Sequence, residues 1–123
     1  MLVVVSPAKK LNMQSMPSVA SSRPLFSKNV DELVSNMQKF SVDELKNTMG
    51  LSDKLAKLNF DRFAAFGSQE KKSAVFAFDG DTYQGLDATS LDDSDLEFAQ
   101  TRLRILSGLY GLLRPLDLSL IHI

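Results

Sequence analysis

The stretch Arg104-Ile105-Leu106-Ser107-Gly108-Leu109-Tyr110-Gly111-Leu112-Leu113-Arg114-Pro115-Leu116-Asp117 constrains this chain more than any other. A short apolar run reaches a small polar residue and then meets two glycines. Gly108 and Gly111 can each take positive φ or admit a close neighbour. Pro115 fixes the exit and disfavours helix at Arg114. The pattern predicts a strand over Leu103–Leu106 that turns at Ser107, leaving a hydroxyl and backbone N–H groups at its end. A single helix continuing to Ser107 is the competing assignment.

Two other apolar runs read the same way. Met1–Val5 is rich in β-branched residues, as expected of a strand covered on both faces. It ends at Ser6-Pro7-Ala8-Lys9-Lys10, where Pro7 stops the ladder. Ala74–Phe78 reads as a second buried strand, ending at Asp79-Gly80-Asp81. Strands separated by helices predict an α/β fold, a mostly parallel or mixed sheet flanked by helices. Ligands in open α/β sheets bind beyond the carboxyl ends of strands. One cleft lined by Ser6, Lys9, Asp79, Asp81, Ser107, Tyr110 and Arg114 is therefore expected. Asp79 and Asp81 could hold a cation or act as acid and base, yet no third ligand stands near them in sequence. A turn stabilised by aspartate side chains explains them more simply. No metal site and no cofactor is expected.

Helical periodicity fills the intervening segments. Asn12–Lys28 has no period and reads as a long surface loop. Val30, Leu33, Val34 and Met37 follow i, i+3, i+4, i+7 and predict an amphipathic helix closed by Phe40. Ser41 with Glu44 forms a capping box for a helix ending near Met49. Gly50 supplies a turn, and Ser52 caps a second helix from Asp53 towards Phe66. This helix-turn-helix over residues 41–66 is similar to a helix-hairpin-helix, which holds duplex DNA by backbone amides and nearby lysines without reading sequence. Lys54, Lys57 and Arg62 lie on the second helix. The usual hairpin has a second glycine where this chain has Ser52. The plainer alternative is a hairpin packing Leu45, Leu55, Leu58 and Phe63. Ser90 or Ser94 is expected to start the next helix, which carries Leu96, Phe98 and Ala99 inward and ends near Arg102.

Charge and composition narrow the function classes. Residues 1–72 hold 11 Lys+Arg against 7 Asp+Glu, while residues 73–123 hold 3 against 8. The first part is mildly basic and could meet a phosphate backbone, though a dedicated nucleic-acid domain is far more basic. With no cysteine, disulfides, zinc-thiolate sites and thiol nucleophiles are excluded, and a cytoplasmic location is expected. No apolar run approaches the roughly 18 residues of a membrane span.

Four blocks carry a family likeness. Leu2-Val3-Val4-Val5-Ser6-Pro7-Ala8-Lys9, Ser52-Asp53-Lys54-Leu55-Ala56, Phe78-Asp79-Gly80-Asp81-Thr82-Tyr83-Gln84-Gly85-Leu86 and the run Leu106–Asp117 occur in that order. Together they resemble the YaaA family of peroxide stress proteins over residues 1–117. The resemblance covers about the first half of a full-length member and implies an incomplete fold. It implies a non-enzymatic, monomeric, cytosolic protein of the peroxide response that binds double-stranded DNA without sequence specificity and helps limit free intracellular iron. Ser6–Lys9, with Lys10 beside it, and the hairpin positions Gly50, Ser52, Lys54 and Lys57, with Arg62 beyond them, would contact phosphates. A small-ligand or hydrolytic enzyme working in the strand-end cleft is the alternative. Residues 118–123 read as the translation of a common transposase adaptor, so they are expected to be a non-native tail and His122 is given no role.

Overall fold

The structure, a computed structural model, describes residues 1–8, 10–12, 14, 21–66 and 71–119. Strand β1 (Val3–Val5) leads, by way of residues 6–26, to helix α1 (Ser27–Met37), which starts before the expected Val30. Val30 and Val34 face the core, but Leu33 is exposed. Helices α2 (Val42–Met49) and α3 (Asp53–Ala64) form the expected hairpin. The Ser41 hydroxyl accepts from the Glu44 amide at 3.1 Å, and the Glu44 carboxylate accepts from the Ser41 amide at 3.1 Å. Gly50 adopts φ 64° and ψ 41°, the left-handed turn that closes α2. Leu45 and Phe63 are buried as expected, whereas Leu55 and Leu58 face outward and Ala56 and Asn59 take the inner positions.

Ala74–Phe78 is not a sheet strand. Strand β2 is only Lys72–Ser73, and Ala74–Ala77 forms a single helical turn, α4. All four residues of α4 are buried. A short continuous apolar run satisfies a buried helical turn as well as a buried strand, so its pattern cannot separate the two. Helix α5 (Asp81–Leu86) and a 3₁₀ turn (Ala88–Ser90) precede helix α6 (Asp93–Arg102). The N-cap of α6 is Asp92, neither Ser90 nor Ser94. Its carboxylate accepts from the Asp95 amide at 2.8 Å, and Asp95 returns the bond in a capping box. Leu96 is buried, but Phe98 stands out in solvent beneath the Arg102 guanidinium, 4.1 Å from its ring centroid.

Strand β3 (Leu103–Ser107) follows α6 directly, which excludes the continuous helix. It pairs parallel with β1, Val5 opposite Ile105, and antiparallel with β4 (Gly111–Leu113), Ile105 opposite Leu113. The sheet is therefore mixed, in the order β1-β3-β4. β1 is an edge strand, and Val3 and Val4 are exposed rather than covered on both faces. Of the two glycines in the hairpin, only Gly111 needs its freedom. Its φ is 73°, and a Cβ there would stand 3.2 Å from the Phe26 ring. The Ser107 hydroxyl turns inward and accepts from the Tyr110 amide at 3.0 Å. Strand β5 (Leu118–Ser119), within the expected tail, pairs antiparallel with β2. Leu120–Ile123, His122 included, lie outside the described residues.

The stretch before α1 and the end of the described chain meet at Asp117, which is fully buried. Its carboxylate accepts from the Arg114 amide at 2.7 Å, from the Arg114 guanidinium at 3.0 Å and from the Ser22 hydroxyl. Gln100 of α6 donates to the Ser22 hydroxyl and accepts from the Leu116 amide. Every polar group here finds a partner, as burial demands. The main core lies between the helical hairpin, α1 and the inner face of the sheet, with Leu45, Ile105 and Leu113 fully enclosed.

Candidate functional site

The segment after β1 is held against the segment after α4 by backbone bonds. The Asp79 amide donates to the Lys10 carbonyl at 3.0 Å, and the Asn12 amide donates to the Ala77 carbonyl at 2.7 Å. Leu11 bridges Phe78 in antiparallel fashion. Gly80 makes close packing possible, since a Cβ at that position would lie 3.1 Å from the Ala8 Cβ. The Tyr83 hydroxyl reaches across and donates to the Ser6 carbonyl. Two of the sequence blocks thus become the two walls of one cavity of about 210 Å³, lined among others by Ser6, Lys10, Asp79, Asp81, Thr82 and Tyr83.

The electrostatics of this cavity are nearly self-contained. The Lys10 ammonium lies 3.4 Å from the Asp79 carboxylate. The Gln84 amide also donates to Asp79, at 3.3 Å. Gln84 first, and Lys10 after it, hold the Asp79 carboxyl below its ordinary range, so it stays ionised at neutral pH. Lys10 therefore has a carboxylate partner within its own cavity. Among the described residues no group of three His, Cys, Asp or Glu side chains could hold a metal ion.

Burial pushes the Tyr83 phenol up to about 12, which gives a testable sign. An unfolded phenol ionises near pH 10, so this group's contribution to stability is complete below pH 10 and is lost as pH rises towards 12. Urea midpoints measured from pH 8 to 12 should show that loss in the natural chain and a shallower one in Tyr83→Phe. Parallel curves for the two proteins would mean that Tyr83 ionises as easily folded as unfolded.

The remaining expected cleft residues lie elsewhere. Ser107 is inside the β3–β4 turn, and Arg114 is bound to Asp117 and to the Arg23 carbonyl. Tyr110 lines a separate cavity of about 340 Å³ with Arg23, Ser27, Asp31, Phe66 and Lys71. The single cleft expected from three strand ends is divided because 74–78 is not a strand and the β3–β4 hairpin folds back on itself. Lys9 lies outside the described residues. Tyr83 and Gln84 were not singled out in sequence. Their positions in the block Phe78–Leu86, on the first turn of a helix beginning at Asp81, were the available signal.

The hairpin residues sit apart from that cavity. At the hairpin the Ser52 hydroxyl accepts from the Leu55 amide at 3.3 Å, capping α3. The Lys46 ammonium lies 2.7 Å from the Asp53 carboxylate, which raises the lysine's pKa and neutralises the one acid at the start of α3. Lys57 pairs with Asp61 at 2.8 Å and lies over the Phe60 ring. Lys54 and Gly50 are exposed, and Arg62 is half-buried on the same helix as Lys54. None of these residues lines the 210 Å³ cavity. No helix among the described residues is long and apolar enough to cross a membrane.

Comparison with known proteins adds the lineage. A family model described as peroxide stress protein YaaA matches residues 1–121. A UPF0246 protein of Ruegeria pomeroyi is 50% identical over 121 residues, covering 95% of this chain and 47% of that protein. A UPF0246 protein of Burkholderia cenocepacia is 46% identical over 123 residues, covering 96% and 47%. One of Dechloromonas aromatica is 48% identical over 123 residues, covering 96% and 48%. The chain spans about half the length of the curated relatives it matches.

Proposed function

Because the chain belongs to the YaaA family of peroxide stress proteins, we propose that it carries the duplex-contacting part of a cytosolic, non-enzymatic protein that binds double-stranded DNA without sequence preference. In the peroxide response such binding, together with limiting free iron, would protect DNA from oxidative damage. The observation that carries this reading is the α2–α3 hairpin. Gly50 takes the left-handed conformation at its tip, and exposed Lys54 follows within one turn. A left-handed glycine lets a phosphate approach the backbone closely, and amides at a helix start favour an anion. Pairing of Asp53 with Lys46 reduces the repulsion that a carboxylate at the start of α3 would otherwise exert. Arg62 adds positive charge further along, and Lys57, paired with Asp61, would have to exchange that carboxylate for a phosphate. Phosphate contacts of this kind position a protein on DNA and carry no base readout.

The test is fluorescence anisotropy of a labelled duplex oligonucleotide, at low and moderate salt, with this chain and with the full-length Ruegeria pomeroyi relative. Affinity should fall steeply with salt, because each neutralised phosphate releases counterions. Lys54→Glu with Lys57→Glu should reduce it by 10-fold or more, an order-of-magnitude expectation for two reversed phosphate contacts. Binding by the double variant equal to that of the natural chain would remove the hairpin from the DNA interface. Absence of binding by both natural proteins would end the DNA reading.

A second reading rests on the convergence of Ser6, Lys10, Asp79 and Asp81 in one cavity. Such a set suits a small polar ligand or a hydrolytic reaction. Saturable binding of a small molecule, insensitive to duplex DNA, would favour it.

A further inference from the structure

Independently of any DNA role, we propose that the outer face of the sheet and the open edge of β1 form the docking surface for the second half of a full-length family member's chain. The register defines two faces. Val5, Ile105 and Leu113 turn inward to the core. Val4, Arg104, Leu106 and Leu112 share the opposite face, because successive residues of a strand alternate and paired residues point the same way. On that face Val4 is 49% and Leu106 45% exposed. β1 stands at the end of the strand order, so among the described residues one side of its backbone has no strand partner.

Exposed apolar side chains grouped on one sheet face mark an interaction surface, and an open apolar edge is a template for another strand. The occupant should therefore be polypeptide that offers a strand to β1 and an apolar surface to Val4 and Leu106. Nucleic acid fits poorly. Strand β1 carries no charge. Arg104, the cation among Val4, Arg104, Leu106 and Leu112, donates to the carbonyls of Gln100 and Leu103 at 2.9 and 2.8 Å. The relatives supply an occupant of the right kind, since this chain accounts for only 47% of the Ruegeria pomeroyi protein. As many residues again are available there to cover the face.

The test compares hydrogen exchange in this chain with that in the full-length Ruegeria pomeroyi relative, with light scattering to fix the mass of each. The segment aligned with Val3–Val5 should exchange on the order of 100-fold more slowly in the monomeric full-length protein. Equal rates in the two proteins would overturn the proposal. So would protection that disappears on dilution as a dimer dissociates, since the occupant would then be a second copy. A substitution supplies the second arm. Val4→Asp should leave the helical signal of this chain unchanged, because the side chain is exposed here. Aspartate at the aligned position of the full-length relative should lower its Tm by roughly 5 °C or more. No change in that Tm would also overturn the proposal. Neither arm reads DNA binding, so the fate of the hairpin reading does not affect this result.

Discussion

Asp117→Ala is expected to destabilise this chain by about 3–5 kcal/mol, the usual cost of removing one partner from a buried ion pair. That is a large share of the ~5–15 kcal/mol by which a domain is stable. Asp117 is fully buried and serves three donors: the Arg114 amide, the Arg114 guanidinium and the Ser22 hydroxyl. Alanine leaves the Arg114 amide and the Ser22 hydroxyl without that acceptor, and the Arg114 guanidinium with the Arg23 carbonyl alone. The consequences spread, because Ser22 also takes a bond from Gln100 of α6, and the Ser22 carbonyl accepts from the Leu118 amide at 2.9 Å. The same carboxylate thus holds the stretch before α1, the end of α6 and the approach to β5 in one arrangement. Asp117→Asn separates charge from shape. It keeps one acceptor oxygen of similar size and should lose less than alanine does. Urea unfolding followed by far-UV circular dichroism reads both. A loss below about 1 kcal/mol for Asp117→Ala would mean that water or rearranged side chains replace the carboxylate.

The second large effect is Ile105→Ala. Ile105 is fully buried at the centre of β3, between Val5 on one neighbour and Leu113 on the other. Truncating such a residue removes its transfer energy and leaves a cavity, at a cost of about 2–5 kcal/mol. The adjacent Leu106, 45% exposed on the other face, is the control. Leu106→Ala in this chain should fall within about 0.5 kcal/mol of the natural protein. The contrast between two neighbouring apolar residues tests the strand register directly. A one-residue slip would exchange their faces and reverse the order of the two effects. Similar losses at both positions would mean that the outer face is already covered in solution.

The elements legible in sequence were those whose signal is local. The capping box at Ser41 and Glu44, the left-handed Gly50 and the Ser52 cap each need only a few adjacent residues to be satisfied, and all three are present. The strand after Arg102 and its turn were likewise written in the apolar run and the glycines. The misread cap of α6 has a local reason too. Asp92 with Asp95 offers the same three-residue spacing as either serine, with a stronger acceptor at a helix start. Ala74–Phe78 had no such marker. A run buried on every side shows no period, so its helical turn was invisible.

The candidate site was half legible for the same reason. Ser6, Lys10, Asp79 and Asp81 were recognisable as polar residues following apolar runs, and they do converge. Ser107, Tyr110 and Arg114 carried the same signature, but Ser107 and Arg114 are spent on the fold and Tyr110 lines a different cavity. Nothing local distinguishes an arginine that meets a ligand from one that meets Asp117 three residues on.

The helical hairpin, its caps, the strand-to-turn stretch and the family likeness were all readable from residue order, because they rest on short-range hydrogen bonding and on local motifs. That the sheet is mixed, that β1 is an exposed edge, and that Leu33, Leu55, Leu58 and Phe98 face outward follows from long-range packing alone. Periodicity states which residues share a face. Which face meets a partner depends on what else packs there, and that is a property of the assembled chain rather than of any segment.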